Sequence, residues 1–223
     1  MEAASHLEDK YSTKDADYYG QLRSELLEFI PADARAVLDV GCAGGNFGRN
    51  LKAARGCEVW GIEPTAEAAA TARNYLDNVF TGFFLDVLPQ VGEKRFDVIC
   101  FNDVLEHMPN PEDALEGLKP YLSERGKVIA SIPNILHFPV IKELVVEQDF
   151  RYREYGVLDN THLRFFTRKS MLRMFESCGY TVERIVGINP VASRKFSLLN
   201  FLLLNRLKDW RFTQFVVIAA PRS

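Results

Sequence analysis

Residues 36–46 read Ala36-Val37-Leu38-Asp39-Val40-Gly41-Cys42-Ala43-Gly44-Gly45-Asn46. The first five form a short apolar run, stopped by Gly41. A run of that length bounded by glycine reads as a parallel strand buried in a sheet. The glycines after it let the backbone pass close to a bound nucleoside, where a Cβ would intrude. As a dinucleotide fingerprint, GxGxxG from Gly41, the turn is incomplete: Ala43 and Asn46 stand at the second and third glycine positions, which disfavours NAD or FAD.

Outward from this turn the same alternation repeats. Helices are expected over 47–55, 66–74 and 111–122, and strands over 58–62, 83–85, 96–101 and 126–132. Strands alternating with helices through short links indicate a parallel sheet covered on both faces. Right-handed crossovers then leave a ligand crevice at the carboxyl ends of the strands. Upstream, residues 1–20 are polar and carry Tyr11, Tyr18 and Tyr19, and a helix is expected over 21–29 before Pro31. Downstream, residues 134–166 hold a helix-like piece at 140–147 and an aromatic, basic stretch. A helix over 168–177 capped by Gly179 and two strands, 181–188 and 212–219, complete the chain. The organisation expected is an N-terminal helical segment (1–30), a nucleotide-binding core (31–134), a cap insertion (135–167) and a closing helix with two strands (168–223).

Bulk properties narrow the partners. The 223 residues suit one α/β domain with an insertion. A formal charge of -3 lacks the basic excess that phosphate neutralisation requires, so nucleic acid is not expected. Cys42, Cys57, Cys100 and Cys178 show no CxxC pairing and no histidine at metal spacing, and read as buried thiols; no metal site is expected. The polar N-terminus and the lack of a ~20-residue apolar stretch point to a cytoplasmic location with no transmembrane segment.

Glu63 ends the second strand, 22 residues beyond Gly41. An acidic side chain at that place accepts hydrogen bonds from both ribose hydroxyls. Together, Asp39–Gly45 (DVGCAGG), Glu63, Asp86 and Asn102–His107 (NDVLEH) resemble the successive motifs of class I S-adenosylmethionine-dependent methyltransferases. The groups they resemble act in ubiquinone, polysaccharide and natural-product biosynthesis. The likeness covers roughly residues 35–135, with a similar ending from Thr161-His162-Leu163-Arg164-Phe165-Phe166-Thr167 onward; the family usually has glycine where Ala43 stands. It implies a doubly wound, Rossmann-like, mostly parallel seven-stranded sheet with an antiparallel last strand and a small helical, aromatic cap. It implies S-adenosyl-L-methionine as cofactor, held by Asp39, Gly41, Cys42, Ala43, Gly44, Glu63, Pro64, Asp86, Val87, Asn102 and Asp103. In that scheme Asp39 reaches the cofactor's amino group, Glu63 the ribose and Asp86 the adenine amino group, while Val87 packs on the ring.

On the acceptor side, His107 and His162 are the candidate general bases, with Asp159 as an orienter of His162 and His137 a weaker third. Tyr152, Arg153, Tyr155 and Arg164 are candidate acceptor contacts from the cap, by ring stacking or bidentate hydrogen bonding. Residues 196–207 (FSLLNFLLLNRL) are apolar on nearly every side if helical. Such a helix must be covered, by a homodimer interface or its own core in preference to a membrane or lipid. The expected activity is methyl transfer to oxygen or nitrogen of a small molecule, sugar or lipid-linked acceptor. The alternative is a non-catalytic S-adenosylmethionine-binding regulator or partner protein.

Overall fold

The computed structural model describes residues 23–222. His6, the three N-terminal tyrosines and the first two residues of the expected 21–29 helix lie outside that range. Within it, Ser24–Phe29 forms a 3-10 turn that buries Leu26 and Phe29.

Seven strands form one sheet in the order β3-β2-β1-β4-β5-β7-β6. They are β1 (Ala36–Val40), β2 (Glu58–Glu63), β3 (Asn78–Thr81), β4 (Phe96–Asn102), β5 (Leu122–Pro133), β6 (Tyr180–Pro190) and β7 (Phe212–Pro221). β1 to β5 pair in parallel, and β7 runs antiparallel to both β5 and β6. β1, all five residues buried, lies centrally with β2 and β4 on its two sides. Alternate residues feed two separate cores: Leu38, Ile99 and Phe101 on one face, Val37, Val98 and Cys100 on the other. All four cysteines are buried thiols.

The helices are α1 (Asn46–Arg55), α2 (Ala66–Ala72), α3 (Phe84–Val87), α4 (Pro111–Gly117), α5 (Phe138–Lys142), α6 (Arg168–Ser177) and α7 (Arg194–Leu202). α6 starts with a capping box, Ser170 N donating to Thr167 Oγ1 while Thr167 N donates to Ser170 Oγ.

Three expectations are corrected. The third strand is Asn78–Thr81, and the apolar residues 83–85 instead enter α3. Phe84, Val87 and Leu88 are the buried ones, so this apolar cluster has the i, i+3, i+4 spacing of a helical face rather than the period of a strand. The helix expected over 111–122 stops at Gly117 and tightens into a 3-10 turn, Lys119–Tyr121, because Pro120 has no N–H to continue the ladder. Finally, residues 196–207 are not covered by the protein's own core: of α7 only Phe196 is buried. Both faces of the sheet are already occupied, and the helix lies outside them.

Residues 134–167 leave β5 and return to α6 as an insertion with a small cluster of its own, Val140, Val157 and Leu158. α5 continues into a π-helical turn, Glu143–Glu147.

Candidate functional site

The carboxyl ends of β1, β2 and β4 lie side by side at one edge of the sheet. Gly41 N and Cys42 N donate to Ile62 O at 2.8 and 3.1 Å, which locks the glycine turn to β2. Gly41 and Gly45 take φ of +70° and +81°, and Ala43 also lies at positive φ, +48°, despite its Cβ. A Cβ on Gly45 would lie 3.0 Å from Ala72 Cα, so only glycine lets α1 and α2 close there. Cys42 and Gly44 are buried in the turn, and Pro64 is half-buried beyond β2.

Two acids stand at this edge. Glu63 is buried, and each oxygen accepts one backbone amide at 2.9 Å, from Ala43 and from Thr65. Each oxygen keeps a lone pair for a further donor. Asp39 is 2% exposed, and Asn102 Nδ2 donates to its Oδ1 at 3.3 Å. Burial, and then the Glu63 charge, push the Asp39 carboxyl up to about 7; burial also raises Glu63. Neither acid has an ion-pair partner among the described residues. Two neighbouring acids with lone pairs to spare can accept from a cation and from hydroxyl donors.

Asp103 differs from its neighbour Asn102. It sits at φ +58°, and its carboxylate is taken up by Arg23, by Ser131 Oγ at 3.2 Å and by Gln214 Nε2 at 2.7 Å. Burial works against the Arg23 charge, but the Asp103 carboxylate outweighs it and holds the guanidinium protonated. Asp86 is exposed within α3, five residues past the end of β3 at Thr81, and Val87 is buried in the core against Gly82. Both residues therefore follow β3 within α3 rather than in the link directly after the strand.

A second group of candidates is assembled over the 3-10 turn Leu105–His107, just after β4. The cap folds back onto it: Leu163 N and Arg164 N both donate to Glu106 O, at 2.9 and 3.0 Å. His107 and His162 thereby meet edge to face, ring centroids 4.7 Å apart. His107 Nδ1 lies 3.2 Å from both Thr161 O and Thr161 Oγ1, and that hydroxyl donates to Asp159 Oδ1 at 2.6 Å. Two oxygens facing Nδ1 assign it the proton, which places the basic lone pair on Nε2. Asp159 thus orients His107 through Thr161. His162 is buried, and its Nδ1 donates to Val157 O at 3.1 Å.

Beneath both rings lies Glu106, 1% exposed, with neither oxygen hydrogen-bonded among the described residues. His162 Nε2 lies 3.9 Å from Glu106 Oε1. Burial, and next the Asp103 charge, hold its carboxyl well above the ordinary range. Glu106, His107 and His162 each offer a ligand atom, all within 4.8 Å of one another. Ligands ~2.1 Å from one ion sit roughly 3–4 Å apart, so small rotations would let the three hold a divalent cation. Sequence spacing gives no sign of this cluster, because the fold brings His162 back from the far end of the cap. Arg23, Ser131 and Gln214 escape sequence reasoning for the same reason.

The remaining candidates divide. Arg153 is spent on the buried Glu143, and Arg164 donates to Pro109 O at 2.8 Å through Nε. Tyr152 joins an aromatic cluster with Phe150 and Phe165, and Phe165 in turn stacks edge-on to His162 at 6.2 Å. Tyr155 is exposed. His137 lies 3.3 Å from Thr213 Oγ1, its pKa lowered by burial, away from the other two histidines.

This geometry agrees with what comparison with known proteins finds. A family model described as a methyltransferase domain matches residues 11–185. The chain belongs to that family. Its sheet has the fold of class I S-adenosylmethionine-dependent methyltransferases. Among relatives, a ubiquinone biosynthesis O-methyltransferase from Azoarcus is 34% identical, over 70% of each chain. One from Aeromonas salmonicida is 25% identical over 70% of this chain and 66% of its own. Others are matched over less than half their length, so this methyltransferase spans less than two thirds of the first relatives it resembles. An S-adenosylmethionine-dependent methyltransferase from Archaeoglobus fulgidus shares the fold, with a TM-score of 0.67 at 17% identity over 90% of this chain and 93% of its own.

Proposed function

We propose that this methyltransferase transfers the methyl group to a hydroxyl oxygen of a small or lipid-linked acceptor, with His107 as the general base. The observation that supports it is the chain Asp159–Thr161–His107, in which Thr161 and, through it, Asp159 hold the His107 ring by Nδ1. The donor supplies a methyl already activated by its positive sulfur, so the protein mainly positions the partners and takes the acceptor's proton. A base at that place suits an acceptor that must lose a proton as it attacks, and the O-methyltransferase relatives support oxygen over nitrogen.

On this reading Glu63 holds the ribose hydroxyls and Asp39 the cofactor's amino group. The backbone of Gly41–Gly44 and Pro64 lines the methionine and ribose ends, and Asn102 positions Asp39. Asp103, tied to Arg23, shapes the pocket rather than touching the cofactor. His162 and Phe165 form one wall of the acceptor space, with Tyr152 and Tyr155 at its rim. Arg153 and Arg164 hold the cap in place.

A second reading is favoured by the orphaned oxygens of Glu106. A divalent cation held by Glu106, His107 and His162 would lower the pKa of an acceptor hydroxyl directly. One experiment decides between them. Methyl transfer to a panel of phenolic and sugar hydroxyls is measured for the wild type, for His107→Gln, and after chelator treatment. A base at His107 gives a 10²–10⁴-fold lower kcat in the variant, unchanged cofactor affinity by calorimetry and no effect of chelator. A metal site gives activity lost on chelation and restored by Mg²⁺, Mn²⁺ or Zn²⁺. Full activity of His107→Gln without metal dependence would sink both, and cofactor binding with no acceptor ever methylated would leave a non-catalytic binding protein.

A further inference from the structure

β5 and β6 run in the same direction and β7 runs against them, so residues 191–211 leave and re-enter the sheet at its carboxyl edge. That is the edge where Asp39, Glu63 and Glu106 stand. The segment is anchored at both ends. Phe196 is buried, its ring 5.0 Å from Phe138 at the start of the cap, and Asn134 Nδ2 donates to Asp209 O and Phe212 O, both at 2.9 Å.

Between these anchors the chain turns its largest apolar groups outward. Phe201 is 70% exposed, Leu202 66% and Leu204 81%, with Leu198, Leu199 and Leu203 exposed beside them. Flanking this patch, Arg194, Lys195, Arg206, Lys208 and Arg211 are all exposed, and none makes an ion pair with another described residue. Asp209 is the single acid in 191–211, so this segment is basic in a chain of formal charge -3.

We infer that α7 and the turn after it form a docking surface for an anionic lipid bilayer, lying in the interface with Phe201, Leu202 and Leu204 among the acyl chains. Exposed leucine and phenylalanine rimmed by lysine and arginine is the composition of helices that rest in the headgroup region. Among the described residues no helix is long and apolar enough to cross a membrane, so the contact is peripheral. A second copy of the chain is the poorer occupant. A two-fold interface through this patch would set five exposed cations against the same five of the partner. Because the patch lies at the carboxyl edge, docking there brings the acceptor pocket to the membrane. The link to catalysis, that the acceptor is presented by the bilayer, rests on the O-methylation reading above; the surface itself does not.

The test is co-sedimentation of the whole chain with vesicles of phosphatidylcholine alone and of equal parts phosphatidylglycerol and phosphatidylcholine. Sedimentation velocity without lipid is run alongside. Binding is expected to the anionic vesicles only, and to weaken with salt. Phe201→Ser with Leu202→Ser should lower it by tenfold or more, and Lys195→Gln with Arg206→Gln by roughly tenfold or more. All variants should bind S-adenosylmethionine as the wild type does. No binding to anionic vesicles overturns the inference, as does equal binding by the serine variant. So does a dimer without lipid that the serine variant dissolves. Vesicle binding without any methyl transfer would leave the surface standing and remove the O-methylation reading instead.

Discussion

Asp39 and Glu106 are both buried carboxylates near the carboxyl ends of adjacent strands, and burial raises both, yet their surroundings are opposite. Asp39 has Asn102 on one oxygen, and its neighbour Glu63 has an amide on each. These bonds come from the turn and strand ends that carry the acids, and they fix where the lone pairs point before any ligand arrives. Glu106 has neither oxygen hydrogen-bonded among the described residues, and the His162 ring beside it comes from the cap. Burial disfavours the ionised form of a carboxylate with no hydrogen-bond partner among the described residues, and it holds the Glu106 carboxyl well above the ordinary range. On the proposed reading, the cofactor end is thus finished by the local chain. The acceptor end is left with an unmet demand that a substrate or cation can answer.

The sharpest way to break this contrast is at Glu63. Glu63→Gln replaces one acceptor oxygen with a donor and removes the charge. Cofactor affinity is then expected to fall by about 100-fold, the loss of one or two charge-assisted hydrogen bonds. Glu106→Gln, isosteric with the protonated acid, should leave that affinity within twofold. Calorimetric titration of both variants with S-adenosylhomocysteine checks the pair; similar losses would mean that the two carboxylates serve one site.

The same contrast explains what can be read from sequence. The glycine turn, Asp39 and Glu63 are contiguous or one βαβ unit apart, so local spacing locates them, and the alternation points to the parallel sheet that carries them. The third strand is misplaced by such reading because a four-residue edge strand, paired only with β2, needs little apolar patterning, while the stronger apolar signal at 83–85 belongs to a helical turn. His107 and His162 stand out as residue types, but not their meeting over Glu106, which depends on how the insertion folds back. Asp159 also reaches His107 through Thr161, a link that spacing along the sequence does not give. Apolarity alone shows that 196–207 needs cover; that the protein's own core does not supply it is a property of the finished sheet.

A smaller effect is expected from protonation. Asp39 titrates near 7 in the ligand-free fold against 3.8 ordinarily, so the native state holds the proton the unfolded chain has lost between those values. Stability of the ligand-free protein therefore falls as pH rises from about 4 to 7, then levels off. Binding of a cationic amino group needs the ionised form, so it runs the other way. Affinity for S-adenosylmethionine should rise about tenfold between roughly pH 6 and pH 8, with the midpoint near 7. Asp39→Asn should abolish that slope while raising thermal stability at the alkaline end. A pH-independent affinity in the wild type would place the cofactor's amino group elsewhere.

The smallest effect sharpens the view that the cofactor end is preformed. Ala43 holds φ +48° and gives its amide to Glu63 Oε2, so the turn keeps its shape against the cost of a left-handed alanine. Ala43→Gly removes that strain but frees the unfolded chain, and the two oppose each other. A net gain of about 0.5–1 kcal/mol in denaturant unfolding is expected, with cofactor affinity changed less than twofold. If affinity instead fell tenfold while stability rose, the alanine methyl would be part of the binding surface, and the turn would be held by side-chain contact as well as by the Glu63 hydrogen bond.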